Sequence, residues 1–193
     1  MPPMRAWQRM LSGRRLNLLD PSPIDVEIED IAHGLSRVAR WNGQTLGDYA
    51  FSVAQHCVLV ERLFADETPG IETRWRLAAL LHDAPEFVIG DMITPFKAAI
   101  GNEYKAIEKG LQAAVHLRFG LPAQLPDRIE SRIKRADRTA AFSEACDVAG
   151  FTEPEARRVL GYRRRARAPA LAAWPPDRAK REFVERFERL FVA

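Results

Sequence analysis

Four residues of this chain are polar where the surrounding pattern is apolar, and together they could hold a metal ion. His82 and Asp83 stand side by side within Ala-Leu-Leu-His-Asp-Ala-Pro-Glu-Phe-Val-Ile-Gly-Asp, residues 79–91. His56 falls between Val53 and Val60 at helical spacing from both, so it points inward. Asp137 lies four residues after Ile133 and three before Ala140 and shares their apolar face. A charge buried away from water is costly unless it is paired or bound to a metal. Two imidazoles with two carboxylates make a nitrogen–oxygen donor set that divalent transition metals take. Singly, each signal is weak. An inward histidine is more often a hydrogen-bonded core residue than a ligand, and Asp137 could pair with Arg135 or Arg138. Those arginines point elsewhere on their helix, and three separate elements each offer an inward ligand-type group. His33, off the apolar face, and His116, near a helix end without an acidic partner, are read as non-ligands.

The neighbours suit hydrolysis. Glu86 is four residues beyond His82 and three beyond Asp83, on the same side of a helix, where it could accept a proton from an attacking water. Asp91 follows Gly90 in the loop that ends the helix and could reach the mouth of the site. A metal that acidifies water, with a carboxylate beside it, is the apparatus of metal-assisted hydrolysis. Lys97, Lys134 and Arg40 could neutralise phosphate oxygens, and Trp41 offers a flat apolar surface to a sugar or base. As a set they suggest a phosphate ester as substrate.

The elements that must position these residues are helical almost throughout. The spacing predicts helices over Glu29–Trp41, from Ser52 onward, Glu72 to about Val88, Glu103–Phe119, Pro126–Ala149 and Thr152–Leu160, with a last one capped by Asp177. His82 and Asp83 then sit mid-helix, about 100° apart around the axis, and converge only if their side chains lean together. Arg14–Leu19 reads as one short strand or an extended arm, ended by Asp20-Pro21-Ser22-Pro23. Strand–helix alternation is absent, which argues against a doubly wound sheet. Arg163-Arg164-Arg165-Ala166-Arg167 reads as a basic surface loop.

With 193 residues and 47% hydrophobic content, the chain is expected to fold as one domain, 1–193, with its motifs in about 24–150 and a helical extension over 151–193. A net charge of +3 does not point to duplex nucleic acid. Cys57 and Cys146 make no disulfide framework and read as reduced thiols of a cytoplasmic protein. The opening residues carry no signal core, and no run is apolar enough for a membrane span.

The arrangement His56, His82-Asp83, Asp137 on an all-helical chain resembles the HD-domain metal-dependent phosphohydrolases. The longer pattern is more specific: Arg40-Trp41, Ser52-Val53-Ala54-Gln55-His56, His82-Asp83-Ala84-Pro85-Glu86, Gly90-Asp91-Met92-Ile93-Thr94-Pro95-Phe96-Lys97 and Lys134-Arg135-Ala136-Asp137. It is similar to the bacterial 5'-deoxynucleotidase branch and to phage-encoded relatives that hydrolyse deoxynucleoside triphosphates, towards which Ile28–His33 leans. The resemblance implies an all-α HD-type helical bundle. It implies one divalent metal (Mn, Co, Fe, Zn, Ni or Mg) on His56, His82, Asp83 and Asp137. It also implies catalytic roles for Glu86 and Asp91, substrate contact by Arg40-Trp41, phosphate contact by Lys97 and Lys134, and a homodimer or larger assembly. Pro85 departs from the small residue expected there and removes a helical donor. The expected function is a phosphohydrolase of deoxyribonucleotides, foremost a 5'-deoxynucleotidase acting on monophosphates. The alternatives are a triphosphohydrolase of the same family and a non-catalytic nucleotide-binding or signalling module.

Overall fold

The structure, a computed structural model, describes residues 6–93, 102–161 and 170–191. Among these are eight α-helices: α1 Ile28–Leu35, α2 Val53–Glu67, α3 Thr73–Leu80, α4 Glu86–Ile89, α5 Asn102–Arg118, α6 Asp127–Asp147, α7 Glu153–Leu160 and α8 Pro176–Leu190. Short 3-10 turns occupy Pro23–Asp25 and Arg40–Gly43. The expected N-terminal arm is a hairpin: β1 Trp7–Arg9 pairs antiparallel with β2 Arg15–Asn17, with Gln8 opposite Leu16. Leu16 is fully buried, and Asp30 of α1 accepts from the amide and hydroxyl of Ser12, which fixes the hairpin turn to the helices. Among the described residues no helix is long and apolar enough to cross a membrane. Lys97, Thr94-Pro95 and the 163–167 basic segment lie outside the described residues.

Helix α2 is the axis of the fold. Nearly every residue from Val53 to Phe64 is buried, as befits a helix with partners on several sides. It packs against α3, α6 and α8. Its start is fixed by Ser52, whose side chain accepts from the amide of Gln55. Glu61, fully buried on α2, binds Arg76 of α3 at 2.7 Å and Arg186 of α8 at 3.3 Å, so one carboxylate ties three helices. Gln55 makes a second tie: its side chain donates to Ala172 O at 2.8 Å and accepts from Trp174 N at 2.9 Å.

Two predicted helices end earlier than their spacing suggests. The helix expected to run from Glu72 to Val88 stops at Leu80, and a new one begins at Glu86. Pro85 is the cause. A continuous helix would bond the Leu81 carbonyl to residue 85, which has no amide hydrogen, and the proline ring would crowd that carbonyl. Leu81 O instead accepts from Ala84 N at 3.1 Å and from the Gln112 side chain of α5 at 3.0 Å. His82 and Asp83 therefore stand in a turn between helices, not within one.

The helix expected over Glu29–Trp41 likewise stops at Leu35. The hydroxyl of Ser36 and the guanidinium of Arg37 take the His33 carbonyl, at 2.9 and 3.2 Å, and local side-chain bonds of this kind compete with helix continuation. Ala39 then runs extended beside α2's entry: Val53 N donates to Val38 O, Arg40 N donates to Phe51 O, and Ala39 bridges Ser52. Asp177 does not cap α8. Pro175 holds that position and Asp177 lies in the first turn. Helix α1 also approaches α4 closely at Gly34, where an added Cβ would lie 2.6 Å from Phe87 O.

Candidate metal centre

Helix α2 brings His56, the 81–85 turn brings His82 and Asp83, and α6 brings Asp137 to one place. Ligand atoms of His56, His82 and Asp137 all lie within 4.8 Å of one another. Asp83 Oδ2 stands 3.4 Å from His56 Nε2 and 3.2 Å from His82 Nε2, and Asp137 Oδ1 stands 3.3 Å from His56 Nε2. The turn explains how adjacent residues converge without leaning: leaving the helix removes the 100° divergence. His56 is wholly buried, whereas the Asp83 and Asp137 side chains are 25% and 37% exposed and face the opening.

The imidazole nitrogens test whether these residues fit a divalent ion. His56 Nδ1 donates to Glu144 Oε1 at 2.6 Å, and His82 Nδ1 donates to Ala79 O at 2.9 Å. Both partners can only accept, so each Nδ1 carries the ring proton and each Nε2 presents a lone pair. Both Nε2 atoms are buried and make no hydrogen bond. Two lone pairs aimed at carboxylates repel unless a positive charge lies between them, and a divalent cation is the species this donor set accepts.

The local electrostatics agree. Burial opposes a charge on His56, as does Arg40, but Glu144, Asp137 and Asp83 push it well above the usual imidazole range. His82 is also penalised by burial and raised well above that range, chiefly by Asp83. Burial would raise Asp83, but His82 and His56 hold it well below the ordinary carboxylate range. The cluster favours positive charge.

Glu144 was not anticipated from the sequence. It is fully buried on α6, seven residues after Asp137 and hence on the same face. That spacing, an acidic residue two turns from a candidate ligand inside an apolar run, is the signal that could have found it. Its Oε2 accepts from Arg40 Nε at 3.3 Å, Arg40 Nη2 at 3.2 Å and Trp41 Nε1 at 3.1 Å. Burial would raise its carboxyl; Arg40, His56 and Trp41 bring it down to about 2.

Arg40 also donates to Asp91 at 3.4 Å. Burial works against its charge, yet Glu144, Asp91, Asp83 and Asp137 hold it protonated. The Arg40-Trp41 turn is strained. Trp41 and Asn42 have φ of 57° and 50°, left-handed values that cost roughly 1–3 kcal/mol each outside glycine. The Glu144 bond and a tilted contact of Trp41 with Phe151, 5.8 Å between centroids, hold the turn in place.

A cavity of about 660 Å³ opens beside the cluster, within the size range of small-molecule sites. His82, Asp83, Glu86 and Asp137 line it, and Gln112, His116 and Lys134 form part of its wall. Glu86 is buried at the first position of α4. Lys134 is exposed and pairs with Glu130 at 2.6 Å. His116 is buried, donates to Ala123 O at 3.3 Å and meets Gln112 at 2.7 Å. His33 stands apart from the cluster on α1. Arg40, Trp41 and Asp91 are not among the described residues that line the cavity; Arg40 and Trp41 join the cluster through Glu144, and Asp91 joins through Arg40.

Comparison with known proteins gives two similarities. Residues 34–149 match the model of the family described as 5'-deoxynucleotidase YfbR-like. An uncharacterized protein of Rhodobacter capsulatus is 62% identical over 184 residues, covering 94% of this chain and 94% of that protein. The family match spans every residue of the cluster and Glu144 as well.

Proposed function

This chain belongs to the 5'-deoxynucleotidase YfbR-like family, and on that premise we propose that it is a metal-dependent 5'-deoxynucleotidase releasing phosphate from deoxynucleoside monophosphates. The observation that carries this reading is the pair of buried, unbonded Nε2 atoms facing two carboxylates at the wall of a nucleotide-sized cavity. A divalent metal held by His56, His82, Asp83 and Asp137 would supply Lewis-acid polarisation of a phosphate oxygen and an acidified water.

The protein's own groups do the rest. Glu144 and the Ala79 carbonyl keep the imidazole protons on Nδ1, which leaves both Nε2 atoms as ligands. Glu86 takes the proton of the attacking water as general base. Asp91 assists proton transfer while its bond to Arg40 orients the guanidinium. Three of the five Arg40 donors are committed to Glu144 and Asp91, which leaves two for phosphate oxygens. Trp41 contacts the deoxyribose, Lys134 meets phosphate charge at the cavity wall, and Lys97 is assigned a phosphate contact from the family pattern alone.

The test is a phosphate-release screen of deoxy- and ribonucleoside monophosphates and triphosphates with Mn, Co, Fe, Zn, Ni or Mg. Phosphate and nucleoside from the deoxymonophosphates are expected. Lys134 on the cavity wall favours triphosphate cleavage as the second reading, and tripolyphosphate as product would identify it. No product from any nucleotide with any metal would sink the hydrolase reading in favour of a binding module.

A further inference from the structure

We propose that Glu144 is a shared positioning residue, orienting His56 through one carboxylate oxygen and the Arg40-Trp41 turn through the other. Its Oε1 is committed to His56 Nδ1 at 2.6 Å, and its Oε2 takes three N–H groups from Arg40 and Trp41 at 3.1–3.3 Å. The carboxylate is fully buried, so water does not compete for either oxygen. A simple counter-ion to Arg40 would need only one face of the carboxylate, and here each face serves a different partner.

The partners belong to three elements: α2, the 3-10 turn at Arg40–Gly43, and α6. Asp137 rides on α6 two turns before Glu144, so a candidate ligand and the positioning group share one rigid helix. The histidine that faces the metal and the pair that meets the phosphate cannot move independently. A carboxylate behind a ligating imidazole fixes its tautomer and raises its basicity, and losing such a group usually costs 10–100-fold in metal affinity. The Arg40-Trp41 half of the proposal rests on the deoxynucleotidase reading; the His56 half does not.

The test titrates full-length Glu144→Gln, close in shape to the native residue, with Mn2+ and then with inorganic phosphate at saturating Mn2+, by calorimetry. The expected result is Mn2+ binding about 10–100-fold weaker together with weakened phosphate binding. Glu144→Asp keeps the charge but is one methylene short of spanning both partners, and should show the same double loss. Rescue of both affinities by aspartate would overturn the proposal in favour of a plain counter-ion. Loss confined to one ligand, or affinities within about two-fold of wild type, would also overturn it. If Glu144→Gln does not fold, Arg40→Gln/Glu144→Gln is compared with Arg40→Gln alone, and an equal Mn2+ affinity overturns the proposal. Neither titration needs turnover. Wild-type protein that binds Mn2+ and phosphate but hydrolyses nothing refutes the deoxynucleotidase reading, and the Glu144 result still stands or falls separately.

Discussion

The side-chain amide of Gln112 donates to the main-chain carbonyl of Leu81, 3.0 Å away, and stands in for the amide hydrogen that Pro85 lacks. Helix α5 thereby braces the turn in which His82 and Asp83 meet. Gln112→Leu leaves that carbonyl with Ala84 alone and should destabilise the protein by about 1–3 kcal/mol. Turnover should fall by about ten-fold as the turn loosens. Urea unfolding and steady-state kinetics check both, and wild-type turnover in the variant would show that the brace is irrelevant to the site.

Glu86 sits buried at the start of α4, on the cavity wall. If it is the general base, Glu86→Gln should lower kcat by about 10²–10⁴-fold while metal content, measured by elemental analysis, stays at the wild-type level. Parallel loss of metal and activity would instead make Glu86 part of the ligand set.

Protons and metal compete for His56 and His82. Facing carboxylates raise both imidazoles above their ordinary value when no metal lies between them, so a proton on either Nε2 competes with the metal for the same lone pair. Affinity should therefore rise with pH and fall on acidification below the raised values, by about 10- to 100-fold per pH unit for one or two displaced protons. Asp83, held well below the ordinary range, stays ionised across that window. Mn2+ titrations at pH 6, 7 and 8 test the sign. A chelator should lower the thermal midpoint of the wild type and leave that of His82→Ala unchanged; equal responses would argue against a metal on His82.

Gly34 is the point where α1 meets α4 without room for a side chain. A Cβ there would stand 2.6 Å from Phe87 O and 2.8 Å from Phe87 Cβ. Gly34→Ala gains helix propensity of about 1 kcal/mol but must push α4, with a net destabilisation of about 1–3 kcal/mol from overpacking. Because Phe87 follows Glu86, turnover should drop while Mn2+ affinity holds. Denaturant melts beside kinetics decide it, and an unchanged kcat would show that α4 shifts without disturbing Glu86.

His56 and Asp137 were legible in the sequence because each interrupts an apolar helical face, and periodicity reports faces well; His82 and Asp83 were legible as polar residues within an apolar run, although they stand in a turn. Helix ends were less legible. Leu77, Leu80, Leu81 and Ala84 keep helical spacing across the break, so the pattern concealed it. Pro85 was the visible sign, but its effect falls four residues earlier, on the Leu81 carbonyl. Val38 extends the spacing of Ile31 and Leu35 but lies beyond the end of α1, because Ser36 and Arg37 had already taken the His33 carbonyl. The role of Glu144 depends on Arg40, 104 residues away in sequence, and no local pattern reports such a partner.

The ties from Gln55 to residues 172 and 174 carry a consequence for biogenesis. Helix α2 bears His56, one of its sides packs against α8, and Gln55, the residue before His56, is held by Ala172 and Trp174. Contacts this distant in sequence close late in folding. The helix that bears His56 therefore gains its last packing partner only when α8 docks. Truncation before α8 should abolish metal acquisition as surely as replacing a ligand, although it removes none.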